Sequence, residues 1–173
     1  QLQSLHPNIA IENSNPIRYL DNDTIVYGFF GMVPEDLFLF DYVTLDIAHA
    51  QFTVNHFKES KKVESIKALS KIIQKETIQL MDYIKILKDK IKVVHVANSI
   101  GLGDLNKEGL IMNEGEADCD KLITSLILSR SSPTILVSEP SPIPYGLNYE
   151  SLAGLMLEEQ KRIFNICSLA LAI

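Results

Sequence analysis

Four apolar runs in this chain each end in a residue that can carry a proton or hold a metal ion. Ile9-Ala10-Ile11 ends in Glu12, Tyr42 to Leu45 ends in Asp46 with His49 three residues on, Ile91 to Val94 ends in His95, and Thr134 to Ser138 ends in Glu139. Strands of a parallel sheet read as short apolar runs, and functional groups gather where their carboxyl ends open into the next loop. The stretch YVTLDIAHA, Tyr42 to Ala50, therefore puts Asp46 and His49 where an apolar strand meets a loop. Carboxylates and imidazoles converging there could do general acid–base work or bind a divalent cation. Any one acid at a strand end is more often a helix cap or a surface ion pair, and a lone histidine is often a satisfied interior group. Recurrence on four successive runs is what favours a site.

The intervening segments read as the helices that would hold those strands. Pro34 followed by Glu35 and Asp36 is a helix start, with proline in the first turn and acids near the positive end of the dipole, running to about Phe40. From Val63 to Lys88 the apolar residues Ile66, Leu69, Ile73, Leu80, Ile84 and Leu87 recur at helical spacing, with a break expected near Thr77. A Gly- and Asn-rich loop fills Ala97 to Gly115. Asp118 then caps a helix carrying Leu122, Ile123, Leu126 and Ile127 on one face, and Asn148 caps a closing helix with Leu152, Leu155, Met156, Ile163 and Ile166 on its core side. Thr24 to Met32 is ambiguous: Ile25, Tyr27 and Phe29 alternate, but Gly28 and Gly31 weaken any regular element. Strands alternating with helices predict an α/β fold with a parallel sheet.

With 173 residues and 46% hydrophobic content, the chain is sized for one domain, 1–173, with one core. A net charge of −6 and a pI near 5.2 provide no general attraction for nucleic acid. Lys58, Lys61, Lys62 and Lys67 form a local basic cluster that reads as a solvated helix surface, and His6 and His56 read as surface residues. Cys119 and Cys167 lack metal or CxxC spacing and are expected as free thiols, which suits a cytoplasmic location. No apolar run reaches the roughly 18 residues of a membrane span, and no signal peptide is apparent. Four strands cannot close a (β/α)8 barrel, so the chain is either a small open sheet or half of a barrel; beginning at Gln1 and not Met, it reads as a piece of something longer.

The motifs IAIEN (Ile9 to Asn13), LDIAHA (Leu45 to Ala50), VVHVANS (Val93 to Ser99), EGEAD (Glu114 to Asp118) and ILVSEP (Ile135 to Pro140) resemble, in order and spacing, the last four strands of the xylose-isomerase-like TIM-barrel superfamily. That group includes sugar and sugar-phosphate isomerases and epimerases, polyol dehydratases and metal-dependent apurinic/apyrimidinic endonucleases. The resemblance implies that this chain supplies about the last four strands of a (β/α)8 TIM barrel, the C-terminal half. It implies that Glu12, Asp46, His95 and Glu139 are ligands of one divalent ion, that His49 contacts substrate, and that Glu12 and Glu139 move a proton at carbon. Asn98, three residues after His95, falls where the family often has an Asp or Asn near the substrate, and otherwise reads as a loop former. Asn13 would orient Glu12 or start the turn.

An oxygen-rich ligand set suits Mn²⁺ or Mg²⁺, with Co²⁺ or Zn²⁺ as alternatives. The implied activity is a metal-dependent isomerase or epimerase acting next to the carbonyl of a small sugar-like substrate. The alternatives are a lyase, dehydratase or endonuclease-like hydrolase on the same scaffold, and a degenerate domain without catalysis. The endonuclease branch carries a D-x-H pair after the strand-seven histidine; here Lys107-Glu108-Gly109-Leu110 lacks that histidine, and the acidic charge also disfavours nucleic acid. The interval from Asp46 to His95 exceeds that of small epimerases and is assigned to assembly or a neighbouring domain. A half barrel would leave two open sheet edges, to be covered by a missing N-terminal half, a second copy or another subunit.

Overall fold

The computed structural model describes residues 9–19, 25–27, 30–59, 64–129 and 134–172. His6, the lead-in to Pro7, Asp21 to Asp23, Phe29, Lys61, Lys62 and Ser131 to Pro133 lie outside the described residues. The strands are β1 (Ile11–Glu12), β2 (Ile17–Tyr19), β3 (Ile25–Tyr27), β4 (Val43–Asp46), β5 (Ile91–Val96), β6 (Asn98–Ser99), β7 (Glu108–Leu110) and β8 (Ile135–Ser138). The helices are α1 (Pro34–Leu37), α2 (Ile47–Lys58), α3 (Glu64–Ile73), α4 (Leu80–Leu87), α5 (Cys119–Leu128) and α6 (Tyr149–Leu171).

The four runs that carry the candidate ligands form one sheet in the order β1-β4-β5-β8, and every pairing in it is parallel. Its register aligns Asp46 with His95 and His95 with Val137. Successive side chains of a strand point to opposite faces, so one face is built from Val43, Leu45, Val94 and Val96. These residues are buried with Ile47, Phe57, Tyr83, Leu87, Leu122, Ile123 and Ile163 in the core. The other face carries Thr44, Asp46, Val93, His95, Ile135 and Val137. Between Val43 and Thr44 the β4 to β5 register shifts by a bulge. On β8, Ile135 is 64% exposed and Val137 37%, because among the described residues no element packs over them.

The Val63 to Lys88 periodicity resolves into two helices, α3 and α4, broken where Gln74 adopts a left-handed φ of 55°. Ile66, Leu69, Ile84 and Leu87 are buried as their spacing requires. Asp118 caps α5 by accepting from Lys121 N at 3.1 Å, and Asn148 caps α6 by accepting from Ser151 N at 2.9 Å. Helix α1 carries Pro34 in its first turn but ends at Leu37, short of Phe40.

Helix α2 corrects the expectation of a loop after Asp46: the strand passes directly into the helix, and Asp46 is both the last residue of β4 and the N-cap of α2. Hydrophobic residues on several sides of α2 mask its period, since Ile47, Ala50, Phe52, Val54 and Phe57 are all buried. His56, expected at the surface, is 1% exposed, and its Nε2 lies 2.7 Å from Leu102 O. The ambiguous Thr24 to Met32 region contributes β3, antiparallel to β2, and the Gly-rich loop after β5 contains the antiparallel pair β6 and β7. Cys119 and Cys167 are free, and among the described residues no helix is long and apolar enough to cross a membrane.

Candidate metal centre

The parallel register delivers the strand-end residues to one mouth of the sheet. Glu12, Asp46 and His95 each offer a ligand atom, and these atoms all lie within 4.8 Å of one another. Glu139, one residue past β8, is held by its backbone N–H donating to Val96 O at 3.1 Å, and its Oε2 lies 2.7 Å from His95 Nδ1. His95 Nδ1 is also 3.6 Å from Glu12 Oε1. Three of the expected four therefore form one cluster, and Glu139 adjoins it through His95.

Asn13 sets the spacing of this group. Its side chain is 1% exposed; its amide donates to Asp46 O at 2.9 Å, and its Oδ1 accepts from Asp46 N at 2.6 Å. One side chain thereby satisfies both backbone groups of Asp46 and pins β1, only two residues long, beside β4. Asn13 orients Glu12 through the backbone of the neighbouring ligand, a role more specific than starting a turn.

Asp46 divides its oxygens. Oδ1 accepts from His49 N at 2.9 Å to cap α2, while Oδ2 faces the cluster, 3.7 Å from His49 Nδ1. The helix-cap reading of this acid is borne out, and because a carboxylate has two oxygens the cap leaves Oδ2 free to face the cluster. Burial, reinforced by the nearby Glu12 and Glu139 and opposed by His49, pushes its pKa up to about 6.

Both ring nitrogens of His49 face acceptors: Nδ1 lies 2.9 Å from Asn13 O and Nε2 lies 3.1 Å from Glu108 Oε1. Neither acceptor can donate while Glu108 is ionised, so the ring is held doubly protonated. Burial alone would lower its pKa, but Glu108, Asp46 and the Asn13 carbonyl more than offset this and raise it to about 9. His49 lies 3.6 Å from Glu12 Oε1 and stands as a fixed cation beside the acids.

Glu108 is the functional-site residue that sequence reasoning missed. It lies on β7, accepts from Asn15 Nδ2 at 3.0 Å as well as meeting His49, and lines the cleft. The signal available was an acid beside a glycine in the loop after the third ligand strand. Gly109 itself has φ +73°, and a Cβ there would meet Ser141 Cβ at 2.4 Å, so this close approach requires glycine.

Asn98 does not reach the cleft. It is fully buried, donating to Met112 O at 2.7 Å and Ala117 O at 2.8 Å and accepting from Ala117 N at 2.9 Å. Its amide groups are used to fold the loop after β6, which corrects the expectation that it contacts substrate.

These side chains open into a cleft of about 430 Å³. Its lining combines the polar Glu12, Asp46, His49, Glu108, Glu139 and Ser141 with the apolar Ala48, Ala97, Leu105, Pro140 and Ile143. His95 shows how the donor set suits a cation. Its Nδ1 is buried and, although Glu139 Oε2 is 2.7 Å away, makes no hydrogen bond of acceptable geometry. A ring nitrogen facing carboxylate oxygens without a hydrogen bond fits a position where a divalent ion replaces the proton. Comparisons with family models, with curated proteins and with solved structures returned no match for this chain.

Proposed function

We propose that this chain forms the catalytic half of a (β/α)8 barrel of the xylose-isomerase-like kind and acts as a divalent-metal-dependent sugar isomerase or epimerase. The observation that carries this reading is the convergence of Glu12, Asp46, His95 and Glu139 at the carboxyl ends of four adjacent parallel strands, with His95 Nδ1 left without a hydrogen bond among them. These four residues would hold the ion, Mn²⁺ or Mg²⁺ by the hardness of the set. When bound, such an ion supplies Lewis acidity that polarises a carbonyl and acidifies the neighbouring C–H. Glu12 and Glu139 come from opposite edges of the sheet and flank His95, which supports a reading in which one carboxylate takes a proton from carbon and the other returns one. His49 keeps a positive charge beside Glu12 and Asp46 and limits the repulsion among the acids.

The barrel reading rests on the open edges. Among the described residues β1 and β8 each pair on one side, Ile135 and Val137 are exposed on β8, and α6 exposes Leu157, Phe164 and Leu171 at seven-residue intervals. Such surfaces call for further strands and helices, from a second half of the same protein, a second copy or another subunit.

The test has two readouts on the full chain. Mn²⁺ at a hundredfold excess over its dissociation constant should stabilise the wild type by about 3 kcal/mol and leave Asp46→Ala unaffected. Incubation with a ketose in D₂O should give metal-dependent deuterium incorporation at the carbon next to the carbonyl, seen by NMR. Absence of Mn²⁺ stabilisation removes the metal reading, and binding without exchange, also after supply of the second half, removes the isomerase reading.

A further inference from the structure

The walls of the cleft bear on which substrates it takes. Resting on the reading above, we infer that the substrate is an uncharged polyhydroxylated carbonyl compound and not its phosphate ester. A phosphate group is held by Lys or Arg, by backbone N–H groups of a helix N-terminus, or by both. In (β/α)8 enzymes that site is frequently formed by the loops after the last two strands.

Those loops correspond here to the segments after β5 and β8, and neither offers such a site. Among the described residues no Lys or Arg side chain lines the cleft. Besides Gly109 and Ser141, joined to each other by Ser141 N donating to Gly109 O at 2.7 Å, the two segments contribute Ala97, Leu105, Glu108, Glu139, Pro140 and Ile143, two acids and four apolar residues. The helix N-terminus that borders the cleft is that of α2, and the Asp46 carboxylate already caps it, accepting from His49 N at 2.9 Å. Of the two imidazoles, His95 faces Glu12 and Glu139, and His49 has both nitrogens engaged by Asn13 O and Glu108.

Charge points the same way. Four carboxylates (Glu12, Asp46, Glu108 and Glu139) line the space, and one divalent ion with one imidazolium leaves a surplus of negative charge. A phosphate dianion would add to that surplus. Hydroxyl groups, by contrast, can donate to carboxylate oxygens, and the C–H face of a sugar can lie on Leu105, Pro140 and Ile143. The lining thus offers acids for hydroxyls and apolar side chains for carbon.

The experiment compares fructose with fructose 6-phosphate as ligands of the Mg²⁺-loaded full chain, by ligand-observed NMR at 0.15 M salt. The neutral ketose should bind at least fivefold more tightly than the ester. An ester that binds within fivefold or more tightly overturns the inference, as does a failure of fructose to bind. Metal loading is followed separately by calorimetry. If no Mg²⁺ or Mn²⁺ binds, the metal reading fails, and the same pair compared on the metal-free chain still decides the substrate class by the same criterion. Two variants isolate the cause. Ile143→Lys, at a half-exposed position in the apolar lining, should shift the preference toward the ester by fivefold or more, and an unchanged preference would overturn the inference. Arg18→Ala, removing the cation that β2 carries, should leave the ratio unchanged; weaker ester binding in this variant would overturn it as well.

Discussion

Replacing Asn13 by Ala should damage both stability and metal binding, by amounts that follow from two hydrogen bonds. The Asn13 amide satisfies Asp46 O at 2.9 Å and Asp46 N at 2.6 Å, with Asn13 1% exposed. Alanine leaves a backbone donor and a backbone acceptor of a buried residue without these partners, and each such group costs about 1–3 kcal/mol. Relaxation of β1 away from β4 would recover part of that, so the expected loss is about 2–4 kcal/mol, a large share of the stability of a domain this size. That relaxation would also move Glu12 away from Asp46 and His95, since among the described residues β1 meets the sheet only along β4. Urea unfolding at constant m-value measures the first effect. Mn²⁺ titration measures the second, with affinity expected to fall at least about tenfold, equivalent to 1.4 kcal/mol. A variant within about 0.5 kcal/mol of wild type that binds Mn²⁺ normally would refute the idea that Asn13 sets the ligand spacing.

Asp46 predicts a pH effect in the metal-free protein. Its folded pKa, about 6, lies above the ordinary carboxylate value of 3.8, so its contribution favours the folded state below about pH 4 and is lost as pH rises through 6, by about 3 kcal/mol. Asp46→Asn should flatten that part of the metal-free stability curve, and saturating Mn²⁺, by favouring the ionised carboxylate, should do the same for the wild type; chemical denaturation across pH 4–7 checks both. Gly109→Ala would place a Cβ 2.4 Å from Ser141 Cβ at a φ of +73°, and should lower the melting temperature by roughly 5 °C or more while distorting the cleft wall. Calorimetry that finds an unchanged melting temperature would show that the two loops can separate without cost.

The sequence by itself determined the parallel α/β architecture, because apolar runs of β-branched residues alternating with amphipathic helical spacing allow few other arrangements. Ile66, Leu69, Ile84 and Leu87 are buried where their period puts them, and Asp118 and Asn148 cap the helices they precede. The meeting of Glu12, Asp46, His95 and Glu139 was legible as well, since in a parallel sheet all strand ends of one sense lie at one mouth. Tertiary structure alone decided the rest. Helix α2 was hidden because a helix buried on several sides has no polar stripe to reveal its period. Asn98 reads as a loop residue near a site, yet its amide is consumed by Met112 and Ala117, a pairing set by the path of a loop across about twenty residues. Glu108 enters the site for the complementary reason: its partners, Asn15 and His49, are 93 and 59 residues away, and no local pattern records a contact that exists only once the hairpin folds over the sheet.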